Sequence, residues 1–188
     1  MRKNCVFFTA ICLLASLFLA SCESNNAHPG YKKTSDGMYY RFHKQNPDAP
    51  MAKPTDFLKL KIACYLNDSL YFNWNNTSGE VYAQLSEQKF VGDLQAAYAM
   101  LHVGDSASFF IKADSIAKLY YEKDPETVGL KADDYFRYEM KLLEIKTEEE
   151  FQAGIERMKQ KLMDDSKSAL AAYIEKNGIA AEPSESVI

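Results

Sequence analysis

The stretch FLKLKIACYLNDSLYFNW, residues 57–74, alternates apolar and polar side chains and then reverses direction. Every second side chain of its first half is apolar, which places on one face of an extended strand Leu58, Leu60, Ile62 and Cys64. Asn67 and Asp68 favour a tight turn, and a second apolar run follows them at once. The stretch therefore predicts a half-buried β-hairpin.

Shorter signals on both sides predict the other elements of one sheet. Apolar residues spaced by three and four indicate a short amphipathic helix over 91–101, ending near Gly104. The polar segment 112–134 predicts a long loop. Extended segments are predicted over 38–42, 80–85, 107–111 and 135–145.

The last predicted element is a long helix. Thr147 and Glu150 match a capping box, and Asn177 with Gly178 forms a stop signal. About 30 residues at ~1.5 Å each give a helix of roughly 45 Å, which is longer than a domain of this size is wide. Part of the helix must therefore project from the domain or pack on something else.

The first 22 residues, MRKNCVFFTAICLLASLFLASC, have the basic start, apolar run and small residues of a secretory signal. Their ending, LASC, resembles a bacterial lipobox, in which Cys22 would carry lipid after cleavage. A plain signal peptide with a chance cysteine is the alternative. Cys5 and Cys12 would leave with the signal, so only Cys64 would remain in the folded part and no internal disulfide is predicted.

The charge balance restricts the classes of partner. The chain has 22 Lys and Arg against 26 Asp and Glu. Removing residues 1–21 takes away two basic residues and no acid, which leaves 20 against 26 and a net charge of −6. A mildly acidic surface without a basic stripe argues against nucleic acid, so membrane contact is expected through acyl chains instead.

The order of the predicted elements and three motifs resemble the FKBP-type peptidyl-prolyl isomerases over roughly residues 55–146. The segments FVGDL (90–94) and MLHVGD (100–105) are similar to the family's helix and its exit, FFI (109–111) to the next strand, and YEMKLLEI (138–145) to the closing strand. The resemblance implies an α+β fold in which an antiparallel sheet half-wraps one short helix. The long C-terminal helix comes in addition.

At 188 residues the chain has room for one modest domain with appendages. The predicted parts are a lipoprotein signal peptide over 1–21, a flexible tether over 22–37, an FKBP-like domain over 38–146, the helix over 147–178 and a disordered tail over 179–188.

The resemblance also implies a hydrophobic cradle for proline. It assigns catalysis to Asn73 and Tyr65, and substrate binding to Phe72, Val81, Val91, Leu94, Tyr138 and Tyr120. Asn73 stands where the family has an acid, and the family's loop tyrosine corresponds to either Tyr120 or Tyr121. The strand alternation turns Cys64 inward and Tyr65 outward unless a bulge shifts the phase.

We therefore expect a weak peptidyl-prolyl isomerase of the cell envelope that assists the folding of exported, proline-containing polypeptides. A non-catalytic, chaperone-like module that binds polypeptides or a partner is the alternative. Lipid at Cys22 would hold the chain on the outer membrane, facing the periplasm. The helix over 147–178 would bind a protein partner or a second copy of the chain.

The three histidines lie far apart without acids or cysteines at ligand spacing, so neither metal nor cofactor is expected.

Overall fold

The structure is a computed structural model that describes residues 27–73 and 80–179. The chain divides into two compact units after Lys32. The described part of the first unit is residues 27–32, which contain a turn closed by a 3.1 Å hydrogen bond from the Tyr31 N–H to the His28 carbonyl. The two-residue strand β1 (Lys32–Lys33) lies across the division, and all other elements belong to the second unit.

Six strands and three α-helices follow β1 in the described residues. The strands are β2 (Tyr39–Lys44), β3 (Phe57–Leu66), β4 (Ser69–Asn73), β5 (Val81–Gln84), β6 (Ser106–Lys112) and β7 (Tyr135–Lys146). The helices are α1 (Leu94–Tyr98), α2 (Ala113–Tyr120) and α3 (Glu148–Asn177), and a 3₁₀ turn covers Glu126–Val128.

The strands of the second unit form one antiparallel sheet in the order β2, β6, β7, β3, β4. β3 pairs with β7 along one edge over its whole length, while its other edge is shared by β5 and β4. Together with α1 and the long α3, this arrangement confirms the predicted α+β class with an antiparallel sheet.

One face of the sheet forms the core, as the alternation predicts. The inward residues of β3 are Leu58, Leu60, Ile62 and Cys64, all buried. β7 contributes Phe136, Tyr138, Met140 and Leu142, and β6 contributes Ala107, Phe109 and Ile111. The α1 region covers this face with Ala97, Tyr98 and Leu101. Each large apolar side chain that is removed from water here stabilises the fold by about 1.5–3 kcal/mol.

The hairpin predicted from residues 57–74 is confirmed as far as Asn73. Asn67 and Asp68 both have left-handed backbone angles (φ 48° and 62°), which is the geometry of the two-residue turn that best matches strand twist. The predicted continuation to residue 74 and the turn over 75–79 lie outside the described residues. So do the predicted signal peptide and lipidation site, the start of the tether and the end of the tail.

The last residues of the predicted tether form a turn that leads into β2. The Thr34 N–H donates to the Met38 carbonyl at 2.9 Å, and the Met38 N–H donates to the Thr34 hydroxyl at 3.1 Å. Met38 itself is buried in the core. The chain is therefore fixed to the core at Met38, directly before β2, and the turn over 34–38 is closed by its own hydrogen bonds.

Helix α1 is shorter than the predicted span of 91–101. Gly92 has φ 77°, a left-handed angle that interrupts a helix, and Asp93 caps the helix by accepting from the Gln95 and Ala96 N–H groups. Val91 therefore lies before the helix and is 69% exposed. The placement of Val91 in the helix was wrong.

The prediction of a loop throughout 112–134 was also wrong, because α2 occupies Ala113–Tyr120. Ala113, Ile116 and Ala117 are buried at spacings of three and four, which is the pattern of a helix with one face on the core. Asp114 and Lys118, one turn apart, form an ion pair on the outer face at 3.8 Å.

Helix α3 begins and ends where the sequence signals predict. The Thr147 hydroxyl accepts from the Glu150 N–H, and the Glu150 carboxylate accepts from the Thr147 N–H, which completes the capping box. Gly178 ends the helix with φ 60°. Among the residues that the structure describes, no helix combines the length and the apolar character that a membrane crossing requires.

Candidate functional site

An aromatic cleft of about 230 Å³ opens at the edge of the sheet, between β4, the end of α2 and the start of β7. Its lining is mostly apolar and consists of Tyr71, Ala117, Tyr121, Val128, Leu130 and Phe136, with Lys123 at the side. The volume is below the roughly 300–1,000 Å³ of pockets for drug-sized ligands. The cleft therefore suits one or two apolar side chains of a larger ligand.

Local backbone geometry brings the walls of the cleft together. The Lys123 N–H donates to the Ala117 carbonyl at 2.9 Å, which turns the chain sharply after α2 and leaves Tyr121 exposed. Gly129, with φ 75°, ends the 3₁₀ turn, and the Leu130 N–H returns to the Pro125 carbonyl at 2.9 Å. The opposite wall is an aromatic pair, since the rings of Tyr71 and Phe136 lie 5.2 Å apart.

Aromatic contacts continue from the cleft into the core. Tyr71 contacts Phe72, with ring centroids 6.0 Å apart, and Phe136 contacts Tyr138 at 6.2 Å. Phe72 and Tyr138 in turn meet edge to face at 6.3 Å. Such pairs contribute about 0.5–1.5 kcal/mol each beyond burial, so the four rings form a stiff wall.

The polar groups deeper in this wall are neutral at physiological pH. Burial raises the pKa of the Tyr138 phenol far above its usual range, and the neighbouring Cys64 thiol raises it further. Burial likewise raises the pKa of Cys64 to about 12, although its hydrogen bond with Tyr138 opposes the shift. Neither group can act as a nucleophile or general base at neutral pH.

Tyr120 is hydrogen-bonded to Asp93, the residue that caps the start of α1. Its hydroxyl donates to the Asp93 carboxylate at 2.9 Å, and its ring meets Phe90 edge to face at 6.3 Å. Burial raises the pKa of Tyr120, and the bond to Asp93 adds to the effect. Tyr120 therefore supports the fold, whereas its neighbour Tyr121 lines the cleft. Of the two loop tyrosines that the sequence left open, Tyr121 is the one with access to a ligand.

The structure brings together some of the sequence-predicted site residues. Phe72 and Tyr138 share a ring contact beside the cleft, and Val81 and Leu94 are partly buried against the same core. Asn73 ends β4, opposite Ala63 of β3, and is partly buried. None of these five residues lines the cleft itself.

Two other predicted residues point elsewhere. The Tyr65 ring lies under the Arg137 guanidinium, 4.3 Å away, on the opposite sheet face from Cys64. A bulge between Cys64 and Tyr65 exists, but it shifts only the pairing with β4 and leaves Tyr65 outward. Val91 is exposed before α1 and cannot form a pocket floor.

Apart from Tyr121, sequence reasoning missed every lining residue of the cleft, namely Tyr71, Ala117, Lys123, Val128, Leu130 and Phe136. Strict alternation of β4 assigns Phe72 inward and Tyr71 outward. Tyr71 is instead the extra residue of a β-bulge, because Phe72 pairs with Cys64 whereas Leu70 pairs with Tyr65. The bulge turns the Tyr71 ring against the buried Phe136. Leu130 fell in a segment predicted as polar loop. The apolar pair Val128 and Leu130 around Gly129 was the available signal.

The outer face of the sheet carries a network of polar side chains. The Ser108 hydroxyl donates to the Glu139 carboxylate at 2.6 Å, and the His43 Nε2 contacts both Ser108, at 2.5 Å, and Glu139, at 3.2 Å. A catalytic relay needs the two histidine nitrogens to face the serine and the acid separately. Here one nitrogen serves both, and the Ser108 side chain is buried, so the network supports the sheet and does not resemble a hydrolase site.

A second concavity of about 630 Å³ lies beside α1, next to the end of β5. Pro54, Leu85 and Ala99 contribute apolar walls, and glutamines and Thr55 contribute polar edges. Thr55 has φ 75°, which is unusual for a β-branched residue. No group of three His, Cys, Asp or Glu side chains that could hold a metal ion occurs within residues 27–73 and 80–179.

Comparisons with known proteins give structural neighbours only. No family model matches the chain, and no curated protein sequence matches it. The crystal structure of FkpA from Escherichia coli is 15% identical in sequence, and the superposition has a TM-score of 0.49. The match covers 78% of this chain and 74% of the FkpA chain. A peptidyl-prolyl cis-trans isomerase from Pseudomonas syringae pv. tomato is 15% identical in sequence, with a TM-score of 0.48. This match covers 64% of the present chain and 84% of the isomerase chain. Similarity at this level says nothing about activity.

Proposed function

We propose that this protein is a peptidyl-prolyl cis-trans isomerase of low activity that acts on proline-containing polypeptides. The observation that carries the proposal is the aromatic cleft, in which Tyr71, Tyr121 and Phe136 enclose a space of side-chain size. The motifs of residues 90–105 and 138–145 support the same class.

The chemistry requires little more than such a cleft. Rotation about an X-Pro amide has a barrier of about 20 kcal/mol, which arises from resonance between nitrogen and carbonyl. The planar amide is more dipolar than the twisted one, so an apolar, water-poor wall disfavours the ground state more than the transition state. Here the pyrrolidine ring would lie against the rings of Tyr71 and Phe136, which hold it while the acyl side turns.

The rim of the cleft offers a hydrogen bond for the rotating group. Tyr121 is 62% exposed, and its phenol O–H can donate to a carbonyl of a bound polypeptide. Lys123 adds a positive charge beside the same opening. A donor of this kind stabilises the carbonyl in its twisted geometry without transferring a proton.

Low activity follows from how few polar groups face the substrate. Tyr65 is turned to the outer sheet face, Val91 is exposed, and Asn73 carries no charge. The cleft then offers its apolar walls, the Tyr121 phenol and the Lys123 side chain at its rim. We therefore expect acceleration well below that of a fully equipped isomerase.

The second candidate function is non-catalytic binding of polypeptides. The hydrogen bond from Tyr120 to Asp93 favours it, because that tyrosine cannot also bond to a substrate carbonyl while it holds α1. The cleft would then recognise a proline or aromatic side chain and delay aggregation of an unfolded chain.

An isomerisation assay on the full chain in detergent tests the first proposal. The substrate is a short peptide with an apolar residue before proline, followed by exchange NMR. We expect a rate above the uncatalysed one and a reduction of about tenfold in Tyr121→Ala, because an aromatic wall and a donor are lost together. Tyr82→Ala, which removes a tyrosine outside the cleft, is the control and should keep the rate.

Two outcomes separate the candidates. A rate equal to the uncatalysed one, with Asn73→Asp also silent, excludes the isomerase. Binding of the same peptide, measured by fluorescence anisotropy and weakened by Tyr121→Ala, would then support the binding function. Absence of both activity and binding excludes the cleft as a functional site.

We also propose that the protein is anchored at the cell envelope by lipid on Cys22, on the outer membrane and facing the periplasm. The signal-like residues 1–22 and the polar segment after them support this. Metabolic labelling with a fatty acid should mark the wild-type chain and not Cys22→Ala, and fractionation should move the variant away from the membrane. Equal labelling of both chains would contradict the anchor.

A further inference from the structure

Within residues 27–73 and 80–179, most of helix α3 packs against nothing else in its own chain. At its base the Phe151 ring stacks on Phe57, with centroids 3.9 Å apart, and contacts Tyr82 at 5.1 Å. Beyond Ile155 nearly every residue is exposed, including large apolar side chains. Met158 is 63% exposed, and Leu162 is 66% exposed.

The apolar residues form one stripe along the helix, interrupted between Leu162 and Ala169. Phe151, Ile155, Met158 and Leu162 follow each other at spacings of four, three and four, and the stripe continues after an interruption with Ala169 and Tyr173. Such spacing keeps side chains on one face of an α-helix. The stripe begins in the aromatic cluster at the helix base and runs to within a turn of the helix end.

The stripe is complementary to itself in the antiparallel direction. Helix α3 covers Glu148–Asn177, so its midpoint lies beside Leu162. When two copies cross antiparallel at this midpoint, Leu162 meets Leu162 of the other copy, and Ile155 lies opposite Ala169. Tyr173 then reaches Phe151 of the other copy, where the aromatic cluster leaves an exposed edge at Tyr82.

The charges along the helix favour the same direction. Asp165 interrupts the stripe, and a parallel pair would place the two Asp165 carboxylates against each other at one level. An antiparallel pair instead places Lys161 of each copy beside Asp165 of the other, so that two attractive contacts replace one repulsive contact. The ends match too, because Lys176 of one copy comes near Glu148 of the other.

We propose that two copies of this protein associate through antiparallel pairing of their α3 helices, centred on Leu162. The two stripes would bury roughly 1,000 Å² in total, which is about the minimum for a specific interface. The two domains then lie at opposite ends of the helix pair, and each domain contacts the C-terminal end of the other copy's helix. This pairing does not depend on the isomerase proposal.

Sedimentation equilibrium of the full chain in density-matched detergent tests the association. We expect a dimer, and Leu162→Glu should raise the dimer dissociation constant about a hundredfold, because two carboxylates would meet at the centre. Ala171→Glu, which adds the same charge on the opposite face of the helix, is the control and should leave the dissociation constant within about twofold. Circular dichroism establishes that both variants keep the helix.

Exchange of charges tests the direction of pairing. Lys161→Asp and Asp165→Lys, each studied alone, should weaken the dimer about tenfold, because each brings like charges together across the interface. Mixing the two variants should restore wild-type affinity in the heterodimer, although each helix still has like charges at positions 161 and 165. The restoration therefore reports contacts between copies and not within one helix.

Three results would overturn the proposal. One is a monomer at all concentrations up to about 1 mM, which leaves less than about 4 kcal/mol for association. The second is a dimer whose dissociation constant does not respond to Leu162→Glu. The third is a dimer whose dissociation constant is unchanged by Lys161→Asp and by Asp165→Lys. A parallel helix pair would behave in this way, because each single exchange leaves the number of like-charge contacts in the parallel pair unchanged.

Discussion

The buried acid Asp93 positions a residue of the aromatic cleft although it does not line the cleft itself. Its carboxylate accepts from three backbone N–H groups, those of Lys89, Gln95 and Ala96, and from the Tyr120 hydroxyl. A buried carboxylate is tolerated only when its oxygens are satisfied in this way. Because Tyr120 is fixed by Asp93, the chain after it turns and presents Tyr121 to the cleft.

Removal of the Tyr120 hydroxyl should therefore destabilise the fold. Tyr120→Phe leaves one Asp93 oxygen without its phenol donor, and we expect a loss of about 1–3 kcal/mol in the free energy of unfolding. Urea denaturation followed by circular dichroism measures it. Tyr121→Phe is the matched control, since its exposed hydroxyl can bond to water, and equal losses in the two variants would contradict this account.

Cys64 should be chemically inert in the folded protein. Its side chain is buried, and burial raises the pKa of the thiol to about 12, so almost no thiolate is present at pH 8. Iodoacetamide at pH 8 should leave Cys64 unmodified in the native chain and modify it in urea, as measured by peptide mass spectrometry. Rapid native labelling at this residue would show that the pairing of β3 with β4 opens more readily than the packing indicates.

At this scale the sequence was most informative where alternation was strict. It indicated that Cys64 faces inward and Tyr65 outward, and the pairing with β7 keeps that phase. It could not decide between Tyr120 and Tyr121, because the choice depends on a hydrogen bond to Asp93, 27 residues earlier. Contacts of that sequence separation leave no local pattern.

At the scale of elements, long periodic segments were predictable and short ones were not. β3, β7 and α3 carry many repeats of their period, and their predicted and observed bounds agree closely. The predicted span of helix α1 was too long at both ends, because the left-handed Gly92 delays its start and the helix already ends at Tyr98, with Ala99 as its C-cap. Helix α2 was missed because the charged residues on its outer face masked three buried residues at helical spacing.

The capping box of α3 should matter more than usual, because the helix has little packing beyond its base. Thr147→Ala removes the bond to the Glu150 N–H, and we expect about 1 kcal/mol less helix stability, seen as faster amide exchange in the first turns. Ser166→Ala, an exposed replacement in the middle of the helix, should have the opposite sign, since alanine is the better helix former. Equal exchange in both variants would show that packing at Phe151 alone fixes the helix.

For the whole molecule, stability should fall steadily at alkaline pH. Burial raises the pKa values of Cys64, Tyr98 and Tyr138 in the folded state, so these groups stay protonated while the unfolded chain loses protons. The unfolded state then binds fewer protons, and the free energy of unfolding decreases as pH rises. Below about pH 8 their contribution is constant, because both states are protonated.

Denaturation in urea at a series of pH values from 7 to 11 measures this dependence. We expect little change up to about pH 8 and then a negative slope of up to about 1.4 kcal/mol per pH unit for each group that titrates only in the unfolded state. Cys64→Ala should shift the start of the decline from near pH 8.5 to near pH 10, where tyrosine titrates. A flat profile up to pH 11 would contradict the burial of these groups.

The position of β7 has a consequence for the order in which the protein can form. β7 is the last strand in the part of the chain that the structure describes, yet it lies between β3 and β6 and joins the two halves of the sheet. A growing chain that has not yet reached residue 135 therefore has two separate strand groups and no closed core. During synthesis the domain must remain open until nearly all of it has left the ribosome, and its folding then depends on contacts between distant residues, which form slowly.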